Sequence, residues 1–143
     1  MGILMLTFIR LMILMFSIFC DMCYARETIL IVANIDDKTM KLTRQEVRNI
    51  FMGGTSPYEL TAIALPAENI TRVLFNTRVV GLTESRIQSY WAQMKFSGRK
   101  RPPKELNSEQ LVISFLEDNQ GAVGYLPAHV DIPSDLTVIF EIK

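Results

Sequence analysis

Histidine and cysteine are scarce in this 143-residue sequence: one His, at position 129, and two Cys, at 20 and 23. A single imidazole cannot build a multi-histidine metal site. No Gly-x-Ser-x-Gly elbow and no phosphate-cradling glycine loop accompany it, and Asp36-Asp37 has no further spaced carboxylates to complete a cation loop. His129 follows Pro127 with no nucleophile motif beside it, so it reads as a loop histidine rather than a general base. Net charge is missing too, with 15 Lys+Arg against 15 Asp+Glu. Neutrality argues against a nucleic-acid binder or a protein held wholesale on an anionic membrane, because both need a basic excess. The expectation is a protein that is not an enzyme and carries no cofactor or metal.

What the sequence does have in excess is apolar residues at its start. Residues 1–25 contain 20 hydrophobic residues, interrupted only by Gly2, Thr7, Arg10, Ser17 and Asp21. A positive charge at Arg10, an apolar stretch from Leu11 to Cys20 and a polar break at Asp21 are the parts of a secretory signal. Cys23-Tyr24-Ala25 places small residues at −3 and −1, which predicts cleavage after Ala25. The uninterrupted stretch is shorter than the ~20 residues a spanning helix needs, so cleavage is preferred to an uncleaved anchor. Residues 26–143 then form one domain. It has 50 hydrophobic residues in 118, an ordinary globular share, and neither cysteine. Membrane contact is expected only through the signal or a partner.

Strand and helix signals alternate along the remainder. Thr28–Ala33 and Leu60–Leu65 read as short buried strands, Ala122–Leu126 as another, and Leu136–Ile142 as a strand alternating on Leu136, Val138, Phe140 and Ile142. Thr43 with Glu46 makes a capping box ahead of Val47, Ile50 and Phe51, and Gly53-Gly54 supplies the stop. Asn69 caps a helix to about Val80, ended by Gly81. Thr83 caps the next, whose Ile87, Tyr90, Trp91 and Met94 recur at helical spacing and read as core. Ser108 caps the last, with Leu111, Val112, Phe115 and Leu116 as its apolar face. Arg99–Lys104, with two prolines, is read as loop. The interleaving predicts an α/β domain, a mixed sheet covered by helices.

Two candidate binding surfaces stand out. Asn69, Thr71 and Arg72 sit at a helix start, where free N–H groups and the dipole favour a small oxyanion; ordinary capping plus a surface Arg is the plainer alternative. Lys95, Arg99, Lys100, Arg101 and Lys104 form the one basic run, suited to an anionic partner such as an acidic protein surface or an envelope polymer. Asn69-Ile70-Thr71 is also a formal glycosylation sequon, a common tripeptide.

Three motifs in order carry a resemblance. Leu42–Gly53, ending Ile50-Phe51-Met52-Gly53, resembles the "helix, Ile-Phe-x-Gly" segment of periplasmic phosphate-binding proteins of ABC transporters. Tyr90-Trp91 with Phe96-x-Gly98 and Pro102-Pro103, and then Gly121-Ala122-Val123-Gly124-Tyr125-Leu126, match the order in small phosphate-binding-protein-like proteins. The resemblance implies a type II periplasmic-binding-protein fold and export to the periplasm of a Gram-negative bacterium. It departs from the family where phosphate is held by an Arg followed by Ser-Gly-Thr. Here Pro66-Ala67-Glu68-Asn69-Ile70-Thr71-Arg72 keeps only Thr71 of that trio, and Glu68 adds negative charge.

About 118 residues suffice for one lobe of such a protein, and a lone lobe has half a cleft. The sequence therefore predicts a single periplasmic-binding-protein-like lobe acting as a non-enzymatic accessory or interaction module. Its partner would be a periplasmic or envelope protein, and tight phosphate capture is not expected. The alternative is a solute-binding protein for phosphate or another small oxyanion, feeding a transporter or sensor.

Overall fold

In the computed structural model, residues 27–143 are described; the apolar leader, the cleavage point after Ala25 and both cysteines lie outside them. In chain order the elements are β1 (Ile29–Ala33), α1 (Arg44–Phe51), β2 (Thr61–Ala64), α2 (Ile70–Phe75), α3 (Glu84–Phe96), β3 (Lys104–Glu105), α4 (Glu109–Asp118), β4 (Ala122–Pro127) and β5 (Thr137–Ile142). The sheet runs β3-β2-β4-β1-β5. β2 is parallel to β3 and β4, whereas β1 is antiparallel to β4 and β5. It is thus a mixed sheet, as the sequence predicts.

β4 lies at the centre and is buried along its whole length. Its alternating side chains show how the layers form. At Gly124 an added Cβ would stand 2.9 Å from Val112 of α4, so the missing side chain lets α4 pack directly on that face. Tyr125 points to the opposite face and meets Phe51 of α1 and Phe75 of α2, with ring centroids 5.6 and 4.2 Å away. Helices therefore cover both faces of the sheet.

The capping residues do the work expected of them. Thr43 and Glu46 form the reciprocal box, with the Thr43 N–H donating to Glu46 at 2.7 Å; these bonds hold the Glu46 carboxyl below its usual range. Asn69, Thr83 and Ser108 accept from Thr71, Arg86 and Leu111 N–H groups respectively. Ile87 and Trp91 are buried, and Tyr90 and Met94 pack half-buried against the core.

Three local readings need correcting. The helix after Asn69 is α-helical only to Phe75, and Asn76–Val80 continues it as a π turn before the left-handed Gly81 (φ 73°). Arg44 and Arg48 of α1 donate to the Val79 and Val80 carbonyls at 3.2 and 3.0 Å, satisfying the end of that turn from outside. In α4, Val112 and Leu116 are buried and Phe115 half-buried as expected, but Ile113 takes the place in the core expected of Leu111, which is half exposed. On β5, Ile139 is fully buried while Val138, Phe140 and Ile142 are half-buried, because this edge strand is partly covered on both faces.

Candidate functional site

The start of α2 follows directly on parallel strand β2 and the Leu65-Pro66 turn. Asn69 is extended (φ −71°, ψ 130°), which lets its Oδ1 accept from Thr71 N–H at 2.8 Å. Its Nδ2 donates to Glu109 Oε1 at 3.0 Å, tying the start of α2 to the first turn of α4. Two helix N-termini thus lie side by side, each contributing a partial positive end. Thr71 is buried at 1% exposure, and Glu68 is exposed.

Arg72 lies one residue further and is also buried, but its donors are spent within the fold. Nε and Nη2 grip Glu84 at 2.9 and 2.6 Å in a two-pronged pair. Nη1 donates to the Leu65 carbonyl at 2.7 Å and to Glu105 Oε1 at 2.8 Å. Glu84 in turn accepts from Asn76 Nδ2 at 2.7 Å and Gln88 Nε2 at 2.6 Å. One side chain therefore ties together the end of β2, α2, the first turn of α3 and the short strand β3. Burial works against the Arg72 charge, yet the hydrogen bonds it donates to Glu84 and Glu105 outweigh it and leave the guanidinium pKa raised. Burial likewise pushes the Glu84 carboxyl up, and the Arg72 and Gln88 bonds outweigh it, so its pKa is lowered.

Beside this cluster is a cavity of about 90 Å³ whose walls include Phe51, Phe75, Trp91 and Tyr125, with Arg72 and Glu105 at one side. The Tyr125 hydroxyl accepts from Leu65 N–H at 3.0 Å, and burial pushes its pKa well up. The cavity has room for a few waters or a small organic group.

Of the residues singled out from sequence, Asn69, Thr71 and Arg72 are brought together, but Arg72 faces two carboxylates. Those carboxylates, Glu84 and Glu105, escaped sequence reasoning. Glu84 stands 12 positions from Arg72 and reads only as a first-turn acid, and Glu105 lies on a two-residue strand too short to show a pattern. The basic residues Lys95, Arg99, Lys100, Arg101 and Lys104 are exposed; the first four lie at the end of α3 and in the loop after it, whereas Lys104, expected as loop, opens β3 by pairing with Ile63. Lys100 bonds the Gly53 carbonyl, and Lys104 lies 4.9 Å over the Phe115 ring. His129 is exposed, 3.2 Å from Glu27. Asp37 caps its own turn through Thr39, whose bonds lower the carboxyl pKa. Among the described residues no cluster of three His, Cys, Asp or Glu is placed to hold a metal, and no helix is long and apolar enough to cross a membrane.

Compared with solved structures, the fold is that of a lobe of a transport substrate-binding protein. The chain is similar to an ABC-type phosphate transport receptor from Vibrio cholerae, with 20% identity and a TM-score of 0.58, covering 79% of this chain and 45% of that one. It is similar to a Clostridium perfringens protein assigned as a phosphate ABC transporter substrate-binding protein and solved with bound phosphate (15% identity, TM-score 0.56, 79% and 44% covered). PstS from Borrelia burgdorferi aligns at 9% identity and a TM-score of 0.51, covering 71% and 41%. The chain thus spans less than half the length of each. No protein-family model matches the sequence, and no curated protein sequence matches it. At these identities the likeness defines the architecture: a periplasmic-binding-protein-like α/β lobe.

Proposed function

We propose that this chain is an exported, non-enzymatic binding lobe that recognises phosphate or a similar small oxyanion and works with a transporter or sensor. The observation that carries the reading is the paired helix start: Asn69 at the head of α2, bonded at 3.0 Å to Glu109 at the head of α4, in a fold otherwise seen in phosphate receptors. In that setting Glu109 is the built-in anion, and an incoming oxyanion competes with it for the Asn69 amide and the first-turn N–H groups. Residues 1–25 would serve as the cleaved export signal, testable by finding Arg26 as the first residue of the protein recovered from cells.

Calorimetry with phosphate, sulfate and small carboxylates tests the ligand. Saturable phosphate binding is expected to tighten about fivefold in Glu109→Gln, which removes the competing charge. It should weaken by about tenfold or more in Asn69→Asp, which keeps a capping side chain but adds a negative one. A folded protein that takes up no phosphate, and gains none in Glu109→Gln, would sink the reading.

A second reading, an interaction module without tight solute capture, is favoured by one observation: Arg72, the cation nearest the helix start, is held by Glu84 and Glu105. Its surface would be the basic run Lys95, Arg99, Lys100, Arg101 and Lys104, facing an envelope partner.

A further inference from the structure

The end of α3 presents an unusual pairing. Phe96, the last residue of the helix, is 96% exposed, more than any other large apolar side chain among the described residues. Segment 95–104 around it carries five cations and no acid, in a chain that is neutral overall. The rest of the sequence therefore holds 10 Lys+Arg against 15 Asp+Glu, so the molecule has a basic pole and an acidic remainder. Among the described residues the only ion pairs are those of Arg72 and His129; Lys95, Arg99 and Arg101 enter none.

The backbone holds this pole in a defined shape. Gly98 adopts the left-handed conformation (φ 68°), with Gly98 N–H bonded to the Lys95 carbonyl and Arg99 N–H to the Met94 carbonyl at 3.1 and 3.2 Å. This closes α3 and turns the chain so that Lys95, Arg99 and Arg101 surround an open hollow. Lys100 anchors the loop to Gly53, and Pro102-Pro103 stiffen its return to β3. The cations stand near the helix C-terminus, whose partial negative charge favours them.

We propose that this pole docks the protein on an anionic phospholipid bilayer, with Phe96 entering the headgroup boundary and Lys95, Arg99 and Arg101 contacting lipid phosphates. A protein interface gathers its apolar anchors into a contiguous buried core, whereas here one fully exposed ring stands alone among cations. A bilayer needs only that combination, an inserted apolar group plus electrostatic attraction. Overall neutrality hides the feature, because acids elsewhere in the sequence cancel the count. The inference is independent of oxyanion binding.

Flotation of the full chain, as purified from cells, with phosphatidylcholine vesicles containing or lacking phosphatidylglycerol tests it. Any contribution of the apolar leader is common to both vesicle types, so the readout is the gain from phosphatidylglycerol. Arg99→Gln/Arg101→Gln should cut that gain about 25-fold, at about fivefold per cation. Phe96→Ser should cut it about tenfold, and Phe96→Trp should retain it. Circular dichroism melts matching the parent protein establish that the variants are folded. Equal binding to both vesicle types would overturn the proposal. So would full retention in Phe96→Ser, which would mean that the cations bind the surface without any insertion of the ring.

Discussion

Arg72 and Arg101 are the same residue type about thirty positions apart, and the fold uses them in opposite ways. Arg72 is buried, bonded to two carboxylates and a carbonyl, and joins four elements. Arg101 is exposed, enters no ion pair among the described residues, and stands in a wholly basic loop. A charge taken out of water must be matched by bonds within the fold, so its partners are fixed and it becomes architecture. A charge left in water costs little to keep unpaired and remains available to an outside partner. The two regions therefore divide the protein into a strut and a docking surface, and each can be tested by breaking the contrast.

The largest effect should come from Arg72→Met. It leaves Glu84 and the Leu65 carbonyl without their main donor in a half-buried setting, and a loss of about 3–5 kcal/mol is expected by urea unfolding. A loss under ~1 kcal/mol would mean that Arg72 is as dispensable as a loop arginine. Next is Tyr125→Phe beside the cavity. It deprives the buried Leu65 N–H of its acceptor and should cost about 1–3 kcal/mol, with no dependence on pH near neutrality because the hydroxyl is uncharged there.

The third effect is smaller and confined to acid. Glu84 has a lowered folded pKa, so its contribution is present above the ordinary carboxylate range and disappears as pH falls through the folded value. Stability should therefore decline steeply with acidification below that range, and Glu84→Gln should flatten this part of the profile. An unchanged slope in Glu84→Gln would show that the pair is not linked to folding. The smallest effect belongs to Arg99→Gln/Arg101→Gln, expected within about 0.5 kcal/mol of the parent at every pH. A larger loss would move the basic loop from docking surface to structural element.

Much of the fold is legible from local chemistry. The start of each helix is written in one residue whose side chain can satisfy an orphan N–H: Thr43, Asn69, Thr83 and Ser108. The stops follow glycines that alone enter the left-handed region cheaply, as at Gly81 and Gly98. Less legible is anything set by neighbours distant in sequence. The π turn at Asn76–Val80 is sustained by Arg44 and Arg48 from another helix. Strand β3 exists because Lys104 and Glu105 pair with Ile63 and Ala64, not because of its own composition.

The candidate site divides in the same way. Asn69 was identifiable as a cap and so as part of a helix start. That Glu109 would bond it depended on where α4 begins relative to α2, which only packing fixes. Phe96 illustrates the reverse failure. In the sequence it belongs to a family-like Phe-x-Gly segment and looks like one more apolar residue. Its exposure follows from its place on α3, about half a helical rotation from buried Ile87, so the ring faces away from the core.

The sequence by itself therefore determined the α/β class, the helix starts and the position of the basic run, because each rests on interactions within a few residues. Only the tertiary structure decided the strand order β3-β2-β4-β1-β5, the capture of Arg72 by Glu84 and Glu105, and the isolation of Phe96 among free cations. Those outcomes depend on which surfaces exclude water from one another. Burial is a property of the folded chain as a whole, and it converts equal charges into a strut in one place and a docking surface in another.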